Sequence, residues 1–170
     1  MQKWMVLILV VLGLVSPLKA YAAPLKLTLT EGVIQPIPYA APVFVAENRA
    51  AEDWSKKITA LVVQDLNSSG LFREVSKAKY ISQITSFASP VQYSDWKAIN
   101  VQALVTGAVK ISSKDQLVVK FRSYDVFAGQ ELGDGLQLVG TKDRWRRIAH
   151  KVADSLYSRI TGESGYFDSR

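Results

Sequence analysis

Side chains able to carry acid–base or metal chemistry are sparse in this sequence. Its 170 residues include a single histidine, His150, and no cysteine. A lone imidazole with no thiolate and no second imidazole cannot build a zinc site, which takes three or four protein ligands. His150 also stands among Arg144, Arg146, Arg147 and Lys151. That pattern reads as a solvated helix face, so His150 is expected at the surface. Gly133-Asp134-Gly135 contains a Gly-x-Gly, but it falls within a strand pattern and no helix follows it directly. A phosphate cradle needs a strand–turn–helix context. The carboxylates Asp125, Glu131 and Asp134 are scattered along the same strands without an evident partner. Having no thiol removes disulfides and cysteine nucleophiles as well. These residues favour a binding or structural module with no cofactor and no metal. A small hydrolase using His150 or the scattered acids is the weaker enzymatic alternative.

The elements that must position these groups follow from periodicity. Leu25 to Glu31, "LKLTLTE", alternates apolar and polar residues, the pattern of a half-buried strand. It reads as an edge strand or an arm able to pair with another chain. Pro36, Pro38 and Pro42 follow and argue for an edge or irregular strand in that stretch. From Glu52 to Asn67 the period becomes helical, with Trp54, Ile58, Leu61, Val62 and Leu66 on one face. "LFREV" is a short strand, and residues 76–90 carry little pattern. "YSDWKAIN" suggests a short helix capped by Ser94. Val101–Ile111 is apolar at both parities, as expected for a central strand buried on both faces. Leu117–Phe127 and Glu131–Gly140 continue it as an antiparallel meander. A last helix is predicted from Lys142 to Ile160, with Thr141 at its start and Gly162 at its end. Trp54, Trp96 and Trp145 fall on apolar helix faces and are expected in the core. Together these elements predict an α/β fold, one mixed sheet flanked by helices.

The N-terminus predicts export. A positive start, an apolar run from Met5 to Val15, the break at Ser16-Pro17 and the small residues of Ala20-Tyr21-Ala22 form a signal peptide over residues 1–22, cleaved after Ala22. The apolar run is far short of the ~20 residues a membrane span needs. About 148 residues then remain, enough for one domain. The net charge of +6 falls to about +4 when Lys3 and Lys19 leave. An exported chain of this modest charge suits an acidic partner or a peripheral approach to a membrane surface, not nucleic acid.

Several stretches go beyond generic patterning. Val62–Val75 carries Asp-Leu-x-x-Ser-Gly-x-Phe across a helix end and a short strand. Arg147–Arg170 carries Ala-His-x-x-Ala-Asp-x-x-Tyr followed by Thr-Gly-Glu-x-Gly-x-Phe. Between them stand Trp96, "ALVTGAV" at 103–109 and "FRSYDVFAGQEL" at 121–132. In this order they resemble the TolB amino-terminal domain family of the Tol–Pal cell-envelope system, across essentially the whole chain after residue 22. The resemblance implies a mixed sheet of about five strands flanked by helices, an anticodon-binding-domain-like fold spanning residues 23–162. It implies a periplasmic, non-enzymatic role in linking inner and outer membrane components, in outer-membrane integrity and in invagination at division. It further implies that an extended N-terminal arm binds the C-terminal domain of TolA. Here that arm corresponds to Ala23, Pro24, Leu25, Lys26, Leu27, Thr28, Leu29, Thr30 and Glu31. Family members carry a six-bladed propeller that binds Pal, so Pal binding is expected only if a propeller follows. Residues 163–170 then read as the start of a linker, with Tyr166 and Phe167 under-packed. The alternative is a stand-alone periplasmic scaffold or activator of envelope and cell-wall assembly with a related fold, binding through its sheet or a helix face.

Overall fold

The computed structural model describes residues 29–30 and 33–169. The predicted signal peptide and most of the predicted arm lie outside the described residues.

Two short ladders open the chain: β1 (Leu29–Thr30) pairs antiparallel with β2 (Val33–Ile34). The main sheet begins at β3 (Ile37–Ala40) and β4 (Val45–Ala46). Helix α1 (Glu52–Ser68) then leads to β5 (Phe72–Glu74). An irregular stretch holds a 3-10 turn at Lys77–Lys79 and helix α2 (Tyr93–Ala98). The meander is β6 (Ala103–Ile111), β7 (Leu117–Asp125), β8 (Gln130–Glu131) and β9 (Leu136–Gly140), followed by helix α3 (Trp145–Thr161). Across the sheet the order is β5-β3-β6-β7-β8, with β4 also on β6 and β9 also on β7. β3 and β4 share one side of β6, and β8 and β9 share one side of β7. The seven strands therefore fill five positions, as the resemblance implies. β3, β4, β5 and β6 run parallel and the meander antiparallel, so the sheet is mixed.

β6 is central, and Ala103 to Val109 are all buried. On its helix-covered face, Val105 and Val109 join Leu117, Val119 and Phe121 of β7. α1 contributes Ile58, Val62 and Leu66, and α3 contributes Ile148, Ala149, Val152, Leu156, Tyr157 and Ile160. Each fully buried aliphatic contributes roughly 1.5–3 kcal/mol by leaving water. Gly107 has a packing reason: the Phe44 ring lies 2.6 Å from where a Cβ would stand. The opposite face is covered at one end by the irregular stretch, through Trp96, Val101, Leu104, Tyr124 and Val126. Tyr80 edges onto Trp96 at 5.1 Å between ring centroids.

Four expectations change. Pro38 lies in an interior strand, flanked by β5 and β6. β6 pairing starts only at Tyr39↔Ala103, while the Pro38 carbonyl accepts from the Gln102 amide, so the missing N–H falls beyond the end of that ladder. Ser94 is inside α2, which Gln92 precedes, and its hydroxyl donates to the Asp95 carboxylate instead of capping. The third meander strand is broken into two. From Phe121 to Tyr124 β7 advances three residues while its partner runs five, from Glu131 to Leu136, a two-residue bulge centred on Gly133-Asp134-Gly135. Finally, Trp54 and Trp145 are only partly buried, meeting edge to face at 6.3 Å between the two long helices. Trp96 is fully buried.

α3 ends as predicted. Gly162 takes a left-handed conformation at φ 80°, and its amide donates to the Ser158 carbonyl at 2.9 Å.

Candidate interaction site

Of the predicted arm, only Leu29 and Thr30 are among the described residues; Ala23, Pro24, Leu25, Lys26, Leu27, Thr28 and Glu31 lie outside them. The Leu29–Thr30 backbone pairs with Val33–Ile34, Leu29 opposite Ile34 and Thr30 opposite Val33. Among the described pairings, this ladder joins no strand of the main sheet. Its root is fixed differently. Three residues after β2, the Ile37 amide donates to the Leu71 carbonyl at 2.8 Å, and Tyr39 is fully buried. The Tyr39 hydroxyl donates within 3.3 Å of the Val63 carbonyl and Asn67 Oδ1, and burial holds its pKa well above the ordinary phenol value. A strand end with its own small ladder therefore springs from a firmly held interior strand.

The scattered chemistry resolves into structural roles. His150 is not a bare surface residue. Its Nδ1 lies 2.7 Å from Oδ2 of Asp65, a carboxylate in the buried seam between α1 and α3. Asp65 falls within the apolar stripe of Leu61, Val62 and Leu66. An acid in such a stripe signals a buried partner, and that signal was available in the sequence. Asp125 accepts from the Ala128 amide at 2.8 Å and shapes the β7–β8 turn. Glu131 pairs with Arg122 at 3.5 Å across β8 and β7, and the Arg122 guanidinium stacks on Phe87 at 4.7 Å. The Gly133–Gly135 bulge lies over Arg159, whose guanidinium carbon is 3.6 Å from where a Gly133 Cβ would stand. Burial lowers the Arg159 pKa, against the opposing pull of Glu131 and Asp134. No group of three or more His, Cys, Asp or Glu side chains is placed to hold a metal ion among the described residues.

The tail after Gly162 is better held than expected. The Asp154 carboxylate accepts from the Phe167 and Asp168 amides at 2.7 and 3.0 Å. Gly165 permits this approach, since a Cβ there would collide with Asp154. Asp168 in turn pairs with Arg147 at 3.2 Å and approaches Lys151 at 4.0 Å. Phe167 packs on the core beside Tyr157 at 5.9 Å, whereas Tyr166 remains 52% exposed. Only Tyr166 fits the expectation of an under-packed aromatic. Nothing in the spacing of the sequence marked Asp154 as the anchor.

Comparison with known proteins follows the same outline. The family described as the TolB amino-terminal domain matches residues 25–132. The chain is 57% identical over 156 residues to the Tol-Pal system protein TolB of Ruegeria sp. (strain TM1040), covering 92% of this chain and 35% of that protein. It is 58% identical over 149 residues to the protein of the same name from Roseobacter denitrificans, covering 88% and 33% respectively. The chain thus spans about a third of the length of the curated relatives it matches. The crystal structure of TolB from Acinetobacter baumannii superposes with a TM-score of 0.63 at 30% identity, over 79% of this chain and 30% of that one. A PelC dodecamer from Paraburkholderia phytofirmans shares the fold, at a TM-score of 0.50 and 14% identity.

Proposed function

The chain belongs to the TolB amino-terminal domain family, and on that premise we propose that it is a non-catalytic, periplasmic interaction module of the Tol–Pal system. Residues 1–22 direct export and are removed after Ala22. Residues 23–31 bind the C-terminal domain of TolA by adding a strand to an open sheet edge of that partner. Main-chain hydrogen bonds supply the affinity, and Leu25, Leu27 and Leu29 supply one face of side chains. Through this link the protein serves outer-membrane integrity and constriction at division. Residues 163–170 lead towards a propeller, and Pal binding belongs to that part.

The observation that carries the proposal is the Leu29–Thr30 ladder, which stands apart from the main sheet among the described pairings. A strand already built into the sheet would not be free to join a partner. No helix among the described residues is long and apolar enough to cross a membrane.

Deleting residues 23–31 tests it. Calorimetric titration with the TolA C-terminal domain should show binding lost while the melting temperature stays nearly unchanged. If binding persists at its original strength, the arm is not the ligand, and a scaffold binding through the sheet or a helix face takes its place.

A further inference from the structure

A second surface, independent of the arm, lies at one edge of the main sheet. β9 pairs only with β7 among the described residues, so the other side of Leu136–Gly140 presents free backbone groups. Exposed edges are usually blunted by lysine, proline or a charge pointing inward. The β9 sequence Leu-Gln-Leu-Val-Gly has none of these. Its exposure is substantial, 38% at Leu136 and 51% at Val139. The bulge at residues 132–135 precedes the strand and leaves its five residues in regular register with β7.

A groove runs between this edge and the first turns of α3. Leu138 and Ile148 supply its apolar side chains, and Arg144, Arg147 and Lys151 its charged flank. All three cations are exposed. Two acids face them: Asp143 in the groove, and Asp168, which is bound to Arg147 and near Lys151. Arg144 makes no ion pair among the described residues. Alternation along β9 divides the two sides. Leu138 packs towards α3, whereas Val139, one residue on, points to the open face of the sheet.

The geometry points to β9 as the docking edge for an extended acidic segment of a partner protein. Such a segment adds as a sixth strand position. Its carboxylates lie on the α3 side against Arg144, Arg147 and Lys151, and its apolar residues lie beside Val139. Backbone pairing gives the attachment, and the charge pattern gives direction and selectivity.

The test uses the full chain and two nine-residue peptides, one alternating Glu and Val, the other Lys and Val. Amide exchange of residues 136–140 is followed by NMR during each titration. The Glu-Val peptide should protect alternate β9 amides and bind on the order of tenfold more tightly than the Lys-Val peptide. Arg144→Glu combined with Lys151→Glu, both at exposed positions, should reverse that preference. Three results overturn the proposal. Protection by neither peptide, or by both equally, removes the acidic partner. Protection of the outward-facing β9 amides in the free chain assigns the edge to the chain's own remaining segments. Protection that grows with protein concentration alone assigns it to a second copy.

Discussion

At the scale of single residues, the lone histidine changes meaning most. Its sequence neighbours are cationic, which suggests a solvated side chain, yet helical geometry turns it towards the seam and onto Asp65. Asp65 is 8% exposed, and His150 is its side-chain partner in the described contacts. Removing one partner of a buried polar pair strands the other, whereas removing both is close to neutral. His150→Ala should therefore lower stability by about 1–3 kcal/mol in chemical denaturation. Combining Asp65→Leu with His150→Leu should recover most of that loss. The proposed binding to TolA should be unaffected in both proteins, since neither residue belongs to the arm. An unchanged stability in His150→Ala would mean that the pair contributes nothing to the packing of α1 on α3.

At the scale of elements, the long helices were legible because their apolar stripes repeat at helical spacing over many residues. α3 shows this best: every stripe residue from Ile148 to Ile160 is buried and Gly162 closes the helix. β6 was legible for a related reason, its apolar residues filling both parities. Pro38 misled because the cost of a proline depends on where the neighbouring ladder starts, and β6 lies some sixty residues further on. The bulge was hidden too, since Gly-Asp-Gly marks a break without saying how many residues it inserts. The docked tail depends on one carboxylate, Asp154, receiving two amides of a segment 13 and 14 residues away. Asp154→Ala should accelerate hydrogen exchange at Phe167 and Asp168 while the amides of α3 keep their protection. If the tail amides stay protected, the aromatic contacts with Tyr157 hold the tail without the carboxylate. Of the candidate site, only Leu29 and Thr30 of the expected strand fall among the described residues, and the arm's partner was not legible, because backbone pairing demands no particular side chains.

At the scale of the whole molecule, stability rests on one sheet covered by two long helices on one face and an irregular segment on the other. Two tyrosines sit where these layers meet the sheet. Burial raises the pKa of both Tyr39 and Tyr80, the latter to about 12. The folded state thus favours the neutral phenols. Their contribution is complete below about pH 10, the unfolded value, and is lost as pH rises through about 12 for Tyr80. Stability should be level from neutral pH to about 9 and fall between about 10 and 12, and Tyr80→Phe should soften that fall. A stability that stays level to pH 12 would contradict the burial described for both rings. This alkaline fall belongs to the folded domain and should be the same in a chain lacking residues 23–31, because neither tyrosine belongs to that segment. The central claim is that the arm alone carries recognition of TolA. Its most direct test is a synthetic peptide of residues 23–31 titrated into the TolA C-terminal domain and then used as a competitor. The peptide is predicted to bind, to order as an added strand on the TolA sheet edge, and to displace the full chain. A peptide that fails to bind, while a chain lacking residues 23–31 still does, would contradict it.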